Sequence, residues 1–92
     1  MIKQISENIF NEKTQNSDRL LFDIDGFRLI DGDCYVNGGN ETEQSYFLFN
    51  DNINEIYELS LKQAYDLLAL YADKDVEELV LCQDIIDLIK SI

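Results

Sequence analysis

Closely spaced turn sequences in the first half of the chain limit its fold more than any other feature. Asp25-Gly26 is followed by Asp31-Gly32 after a short interval, residues 27–30, and then by Asn37-Gly38-Gly39. Asp-Gly pairs favour two-residue hairpin turns, because both turn positions require a positive φ angle. Strands joined by such short turns run side by side in opposite directions, so we predict an antiparallel β-meander over residues 19–59.

Alternating apolar residues place the strands of this meander. Leu20, Phe22 and Ile24 share one face of a strand at 19–24, as expected for a side-chain period of two. Further strands are predicted at 27–30, 33–36 and 45–49, with 53–59 as a fifth candidate. Residues 40–44 are polar and predict a loop. The meander therefore has three to five strands.

Capping residues and helical spacing describe the rest of the chain. Ser60 and Gln63 form a capping-box pattern at the start of one helix, and Asp75 and Glu78 repeat it at the start of a second. Residues 1–18 indicate a short N-terminal helix and a loop, with a strand through 8–13 as the alternative. The sequence thus predicts a single α+β domain over 1–92, with residues 60–92 forming two C-terminal helices.

The two C-terminal helices differ in how much of their surface is apolar. The first has one apolar face, formed by Leu61, Ala64, Tyr65, Leu68, Tyr71 and Ala72. The second is apolar on two sides, which is more than a surface helix needs. We expect it to pack against the sheet on one side and the first helix on the other. A homodimer or adaptor contact through 76–92 is the alternative, which would leave an exposed apolar patch on the monomer.

The charge of the chain restricts its partners. Nineteen acidic residues face seven basic ones, giving a net charge of −12 at pH 7. Contacts to phosphates require Lys and Arg, so direct binding to nucleic acid or to an anionic membrane is disfavoured. A high negative charge instead favours association with a basic surface, because long-range attraction raises the association rate.

Most of this charge falls on the predicted meander. Residues 20–59 contain nine acidic residues and a single basic one, Arg28, and tyrosines are interleaved with the acids. Exposed tyrosines among carboxylates are typical of protein-binding hot spots. The alternative is that these tyrosines lie in the core, where we expect most phenylalanines to be. The candidate partner-binding residues are Asp23, Asp25, Asp31, Asp33, Tyr35, Glu41, Glu43, Tyr46, Asp51, Glu55, Tyr57 and Glu58.

Residue types argue against catalysis. The chain has no histidine and only two cysteines, which excludes Ser-His and Cys-His nucleophiles and zinc sites built from Cys and His. Gly38-Gly39 lacks the following Lys-Ser/Thr of a phosphate-binding loop. The aspartates around Asp25-Gly26 and Asp31-Gly32 do not have the spacing of a calcium-binding EF-hand, and Asp is common in turns for local reasons. We therefore expect no catalytic residues, no cofactor and no metal site.

The remaining signals concern the compartment. The N-terminal residues contain no continuous apolar segment of a signal peptide, and no apolar run is long enough to cross a membrane. We read Cys34 and Cys82 as free thiols, with Cys82 as a small buried hydrophobe. These features predict a cytoplasmic protein, either in a bacterium or, if phage-encoded, in the host cell.

Three functional hypotheses fit these properties. The first is a non-catalytic inhibitor or immunity protein of a toxin–antitoxin type that blocks the basic active site of a nuclease toxin or another nucleic-acid-handling protein. The second is a phage nucleic-acid mimic of the anti-CRISPR or anti-restriction type. The third is an adaptor or small subunit that assembles through its apolar C-terminal helix. No motif in the chain is specific enough to choose among them.

Overall fold

A computed structural model describes residues 2–14, 18–36, 41–73 and 75–90, with backbone positions alone for 33–36 and 41–43. The described residues form a five-stranded antiparallel sheet and three helices, two of them at the C-terminal end. The predicted α+β class and the meander followed by two helices are therefore confirmed.

The sheet contains β1 (Lys3–Ile5), β2 (Asp18–Ile24), β3 (Phe27–Val36), β4 (Glu41–Asn50) and β5 (Glu55–Leu59). Strands β2 to β5 follow one another as a meander, and β1 pairs antiparallel with the outer side of β5. The predicted turn at Asp25-Gly26 is confirmed, because both residues have positive φ angles of 54° and 85°. The backbone N–H of Asp51 donates to the carbonyl of Gly26 at 2.8 Å, which joins this turn to the β4–β5 turn.

Two of the predicted breaks in the meander are wrong. Asp31-Gly32 is not a turn, because β3 continues through it in unbroken register with β4. The Asp31 carboxylate accepts hydrogen bonds from Arg19 at 2.8 Å and Gln44 at 3.0 Å on the two neighbouring strands, so the sheet satisfies it. Residues 41–44, predicted as a loop, belong to β4. The predicted turn at 37–39 lies outside the described residues.

The N-terminal segment contains the predicted short helix, preceded by a strand that was not predicted. A three-residue strand, β1, precedes helix α1 (Glu7–Lys13). The Ser6 hydroxyl accepts a hydrogen bond from the backbone N–H of Ile9, which caps the helix start. The strand suggested through 8–13 is wrong, because these residues are helical and place only Phe10 in the core.

The C-terminal helices are α2 (Leu61–Ala72) and α3 (Glu78–Lys90). The capping box of Ser60 and Gln63 is confirmed in both of its hydrogen bonds. The predicted cap at Asp75 is wrong, since α3 begins three residues later. The backbone N–H of Asp75 instead donates to the carboxylate of Asp73 at 2.9 Å.

Helices cover both faces of the sheet. One face packs under α2 and α3 in a large apolar core, and the opposite face packs under α1 in a smaller one. The larger core is built around Leu29, Leu48, Tyr57, Ala64 and Ile85, and the smaller around Ile5, Phe10, Ile30, Phe47 and Ile56. All five phenylalanines are buried in, or packed against, one of these cores, as predicted.

The helices bury narrower faces than their sequences suggested. On α2, Ala64 and Leu67 are buried, whereas Leu61, Tyr65 and Tyr71 from the predicted apolar face are about half exposed. On α3, the buried side chains are Leu81, Cys82 and Ile85. Leu79 is 76% exposed, and Val80 beside it is also exposed. Two apolar side chains at the start of α3 are therefore uncovered, whereas Gln83, Asp84 and Asp87 make the rest of its exposed side polar. None of the described helices is long and apolar enough to span a bilayer.

Candidate protein-binding surface

The sheet separates the acidic residues that the sequence suggested would form one face. Strands β3 and β4 pair from Phe27–Asn50 at one end to Val36–Glu41 at the other. The ten residues of β3 span ~30 Å at the usual rise per residue. Asp23, Asp25, Asp51 and Glu55 lie at the first end, near the β2–β3 and β4–β5 turns. Asp33, Glu41 and Glu43 occupy strand positions toward the other end, as does Tyr35, and their side chains are outside the described part of the chain.

Three of the candidate residues are buried and so do not form an exposed surface. Tyr46 and Tyr57 lie in the larger core, because their strand positions alternate onto the face beneath α2 and α3. Burial and a hydrogen bond with Tyr65 raise the pKa of Tyr46. Asp31 is buried at the adjoining strand position opposite Tyr46 and is paired with Arg19. These three side chains stabilise the fold rather than meet a partner directly.

Three further candidates interact within the chain. The Asp51 carboxylate receives two hydrogen bonds from Arg28, at 2.6 and 2.9 Å, and this bidentate pair lowers the pKa of Asp51. Glu58 pairs with Lys13 of α1 at 2.6 Å. The Tyr57 hydroxyl donates to Glu55. Asp23 lies opposite Arg28 in the pairing of β2 with β3, and both Asp23 and Asp25 are exposed carboxylates at the turn end of the sheet.

The connection between α2 and α3 brings more acidic residues to this same end. Strand β5 runs away from the β4–β5 turn, and α2 then returns along the sheet. The C-terminal end of α2 therefore lies near the β2–β3 turn. The residues that follow it in sequence include the exposed Asp73, Asp75, Glu77 and Glu78. We call this end of the molecule, with Asp23, Asp25, Asp73, Asp75, Glu77 and Glu78, the acidic end.

An open cleft at the acidic end combines aromatic, apolar and acidic groups. It has a volume of about 230 Å³, and its apolar lining consists of Ile24, Leu70, Tyr71, Val76 and Leu81. Its polar lining consists of Asp73, Glu77 and Glu78, and no basic side chain is among the described residues that line it. Tyr71 is 49% exposed, with its ring 5.2 Å from that of Phe22. We call this the Tyr71 cleft.

The electrostatic environment of the Tyr71 cleft favours a positively charged group. The negative C-terminal end of α2 and the positive N-terminal end of α3 both meet the cleft and oppose one another. The carboxylates of Asp73, Glu77 and Glu78 therefore give the cleft its negative charge. Burial raises the pKa of the Cys82 thiol, and Asp25 and Glu78 raise it further.

A larger cleft of about 420 Å³ lies on the opposite face, between α1 and the β4–β5 turn. Its floor contains Phe10 and Phe49, and the guanidinium of Arg28 lies 4.5 Å above the Phe49 ring. The same guanidinium pairs with Asp51. This cleft therefore already holds a cation of the chain itself over its aromatic ring, which makes it a weaker candidate for a basic partner than the Tyr71 cleft.

Within the described ranges, no three or more His, Cys, Asp or Glu side chains are grouped so that they could hold a metal ion. Cys82 is a buried free thiol, as predicted. The side chain of Cys34 is not among those described.

Comparison with known proteins leaves the site to be interpreted from its own geometry. No protein family model, no curated protein and no solved structure matches the chain.

Sequence reasoning missed Tyr71, which it assigned to the apolar face of α2. The relevant signal was the run of acidic residues that begins two positions later, with Asp73. An aromatic residue in the last turn of a helix that is followed by several carboxylates lies at the edge of the core, where its ring is partly exposed to solvent. The predicted pattern of a tyrosine among acids therefore occurs, but on α2 rather than on the strands.

Proposed function

We propose that this chain is a non-catalytic acidic inhibitor of the immunity-protein type, which binds the basic surface of a partner through its acidic end. The partner class is a nuclease toxin or another protein that handles nucleic acids. The observation that carries the proposal is the Tyr71 cleft, where a half-exposed tyrosine is surrounded by Asp73, Glu77 and Glu78.

The cleft suits a lysine or arginine side chain of a partner. An arginine guanidinium packs on a tyrosine ring with a gain of about 0.5–2 kcal/mol, the larger value applying when water is excluded. Carboxylates around it provide the ionic partners, and a guanidinium can bind a carboxylate through two hydrogen bonds. A nuclease holds phosphates with the same Lys and Arg side chains, so a protein that occupies them blocks the substrate.

The remaining acidic residues add long-range attraction. With a net charge of −12, the chain draws a basic partner toward it before contact, and this effect weakens as salt rises. Affinity then depends on the short-range contacts at the Tyr71 cleft, because rim charges chiefly affect the association rate.

The test compares three forms of the full chain as affinity baits and then in solution. The first is wild type, and the second carries Asp73→Lys and Glu77→Lys at the Tyr71 cleft. The control carries Glu12→Lys and Asp18→Lys, which change the net charge equally on α1 and at the start of β2. Proteins captured from the native host by wild type are identified by mass spectrometry, purified, and measured by calorimetry at several salt concentrations.

We expect the cleft variant to bind the captured partner at least tenfold more weakly, about 1.4 kcal/mol, with a smaller salt dependence. The control should lose less than threefold, and wild type should inhibit the partner's nucleic-acid-processing activity. The proposal is wrong if both variants bind equally, if salt has no effect, or if the partner keeps full activity in the complex.

Two exposed apolar residues at the start of α3 support a second candidate, an adaptor or subunit that assembles through residues 76–92. Leu79 and Val80 are exposed at the start of the helix, and an uncovered apolar patch is a common mark of a protein interface. If this candidate holds, light scattering after gel filtration will show a dimer for wild type and a monomer for Leu79→Asp. A wild-type monomer at all accessible concentrations excludes the homodimer.

A further inference from the structure

A groove between α2 and α3 lies on the outer surface of the helical layer. It has a volume of about 340 Å³ and an apolar floor formed by Leu67, Leu70 and Leu88. Asp66 lies on the α2 side, and Asp84 and Asp87 lie on the α3 side. The groove therefore has apolar groups at its base and negative charge on both walls.

The charges on these walls are only weakly compensated. Asp66 pairs with Lys62 at 3.0 Å, but both side chains are largely exposed, and such surface pairs contribute little. The Asp87 carboxylate accepts a hydrogen bond from Gln83, which is uncharged. Basic groups on both sides of an apolar stripe would complement this groove.

The groove suits a helical ligand better than an extended peptide, because both of its walls are α-helices. An extended peptide binds through backbone hydrogen bonds to a free strand edge. Here both walls are α-helices, whose backbone groups are bonded within the helix apart from the end turns. A helix satisfies its own backbone and needs only apolar side chains for the floor, as in helix-in-groove recognition.

The length of the groove matches two turns of such a helix. Along α2 it extends from Gln63 to Leu70, ~10 Å at the rise of an α-helix. Apolar side chains at positions i, i+3 or i+4, and i+7 of a ligand helix span the same distance. Leu70 also lines the Tyr71 cleft, so the groove and that cleft meet at one side chain.

We infer that the groove between α2 and α3 receives an amphipathic, cationic α-helix of the partner protein, which continues into the acidic end. This inference rests on the proposed function and specifies which structural element of the partner is bound. The apolar stripe of the ligand helix contacts the half-buried Leu70 and Leu88 on either side of the buried Leu67. Its flanking Lys or Arg side chains pair with Asp66, Asp84 and Asp87.

A synthetic helix tests this assignment without the native partner. The probe is a fluorescein-labelled peptide of about 14 residues, four helical turns, made of leucine, lysine, alanine and glutamine, with leucines spaced i, i+4 and i+7. The control peptide has the same composition and charge, with its leucines distributed around the helix. Fluorescence anisotropy measures binding of both peptides to wild type, to Asp84→Lys/Asp87→Lys and to Glu12→Lys/Asp18→Lys.

We expect the patterned peptide to bind wild type at least tenfold more tightly than the control peptide. Reversing Asp84 and Asp87 should weaken its binding at least tenfold, whereas the equally charged variant at Glu12 and Asp18 should weaken it less than threefold. All four positions are exposed, and circular dichroism verifies that the variants fold.

Equal binding of the two peptides would overturn the groove assignment, since it would show only general attraction between opposite charges. Equal loss in the two double variants would overturn it as well. Neither result contradicts the proposed function, which is tested separately at Asp73 and Glu77 with the captured partner. Loss of groove binding and loss of partner inhibition are thus measured by different variants.

Discussion

Replacing Ile85 with alanine tests which side of α3 packs against the sheet. Ile85 is fully buried in the larger core, whereas Leu79 on the same helix is 76% exposed. The matched control is therefore Leu79→Ala, which also shortens an aliphatic side chain in α3. The two variants differ mainly in whether the removed atoms contact the core.

The expected loss for Ile85→Ala follows from the atoms removed. Three carbons leave the core at roughly 0.8 kcal/mol each, or roughly 2.4 kcal/mol in total. An unfilled cavity raises this, so we expect a loss of about 3–4 kcal/mol, within the range for such substitutions. For Leu79→Ala the expected change is within about 0.5 kcal/mol, as for other exposed positions.

Urea denaturation followed by far-UV circular dichroism measures both changes, because the chain has no tryptophan to serve as a fluorescent probe. The melting temperature of Ile85→Ala should fall by about 12–30 °C, from ~4–8 °C per kcal/mol for a domain of this size. A loss under about 1 kcal/mol for Ile85→Ala would refute the packing described for α3. If Leu79→Ala destabilises equally and the effect grows with protein concentration, the exposed side of α3 is a dimer interface.

Two further predictions concern the helix cap and the pH dependence of stability. Ser60→Ala removes the acceptor for the Gln63 backbone N–H and should cost about 1 kcal/mol, measured by urea denaturation, with no cost refuting the cap. The hydrogen bonds from Arg28 lower the pKa of Asp51 in the folded protein below its value near 3.8 in the unfolded chain. The ion pair therefore stabilises the fold fully at pH values above 3.8, and this stabilisation is lost as the pH falls through the lowered pKa. Melting temperatures of wild type and Arg28→Gln should therefore differ at neutral pH and converge in acid, and a constant difference would contradict this assignment.

The fold class was predictable because several local signals agreed. The turn at Asp25-Gly26, the alternation around Phe22 and the Ser60 capping box each depend on neighbours in sequence. The second Asp-Gly pair shows the limit of this reasoning. The same two residue types form a turn at 25–26 and a strand at 31–32, because Arg19 and Gln44 of the adjacent strands satisfy Asp31. That arrangement depends on strand pairing, which a local pattern does not contain.

The residue types of the candidate site were predictable from the sequence, but their positions were not. Composition indicated an acidic surface with tyrosines, and the Tyr71 cleft has these groups. However, Tyr46 and Tyr57 alternate onto the covered face of the sheet, which depends on where α2 and α3 lie. Tyr71 was assigned to the core because helical spacing identifies a broad apolar stripe on α2. How much of that stripe is buried depends on the width of the contact between α2 and the sheet, which the spacing does not contain.

The two edges of the sheet influence how this chain meets other proteins. One edge is β1, with three residues, and the other is β2, whose register shifts between Leu20 and Phe22. Short strands and bulges interrupt the row of free backbone groups that a foreign strand needs in order to pair. The sheet is thereby protected from edge-to-edge pairing at β1 and β2, whereas β3 and β4 pair with each other beyond Gly32 and Tyr46, past the described pairing with β2 and β5. In the proposed function, recognition relies on side chains of helices and turns, where single substitutions can alter the choice of partner without disturbing the hydrogen bonds of the sheet.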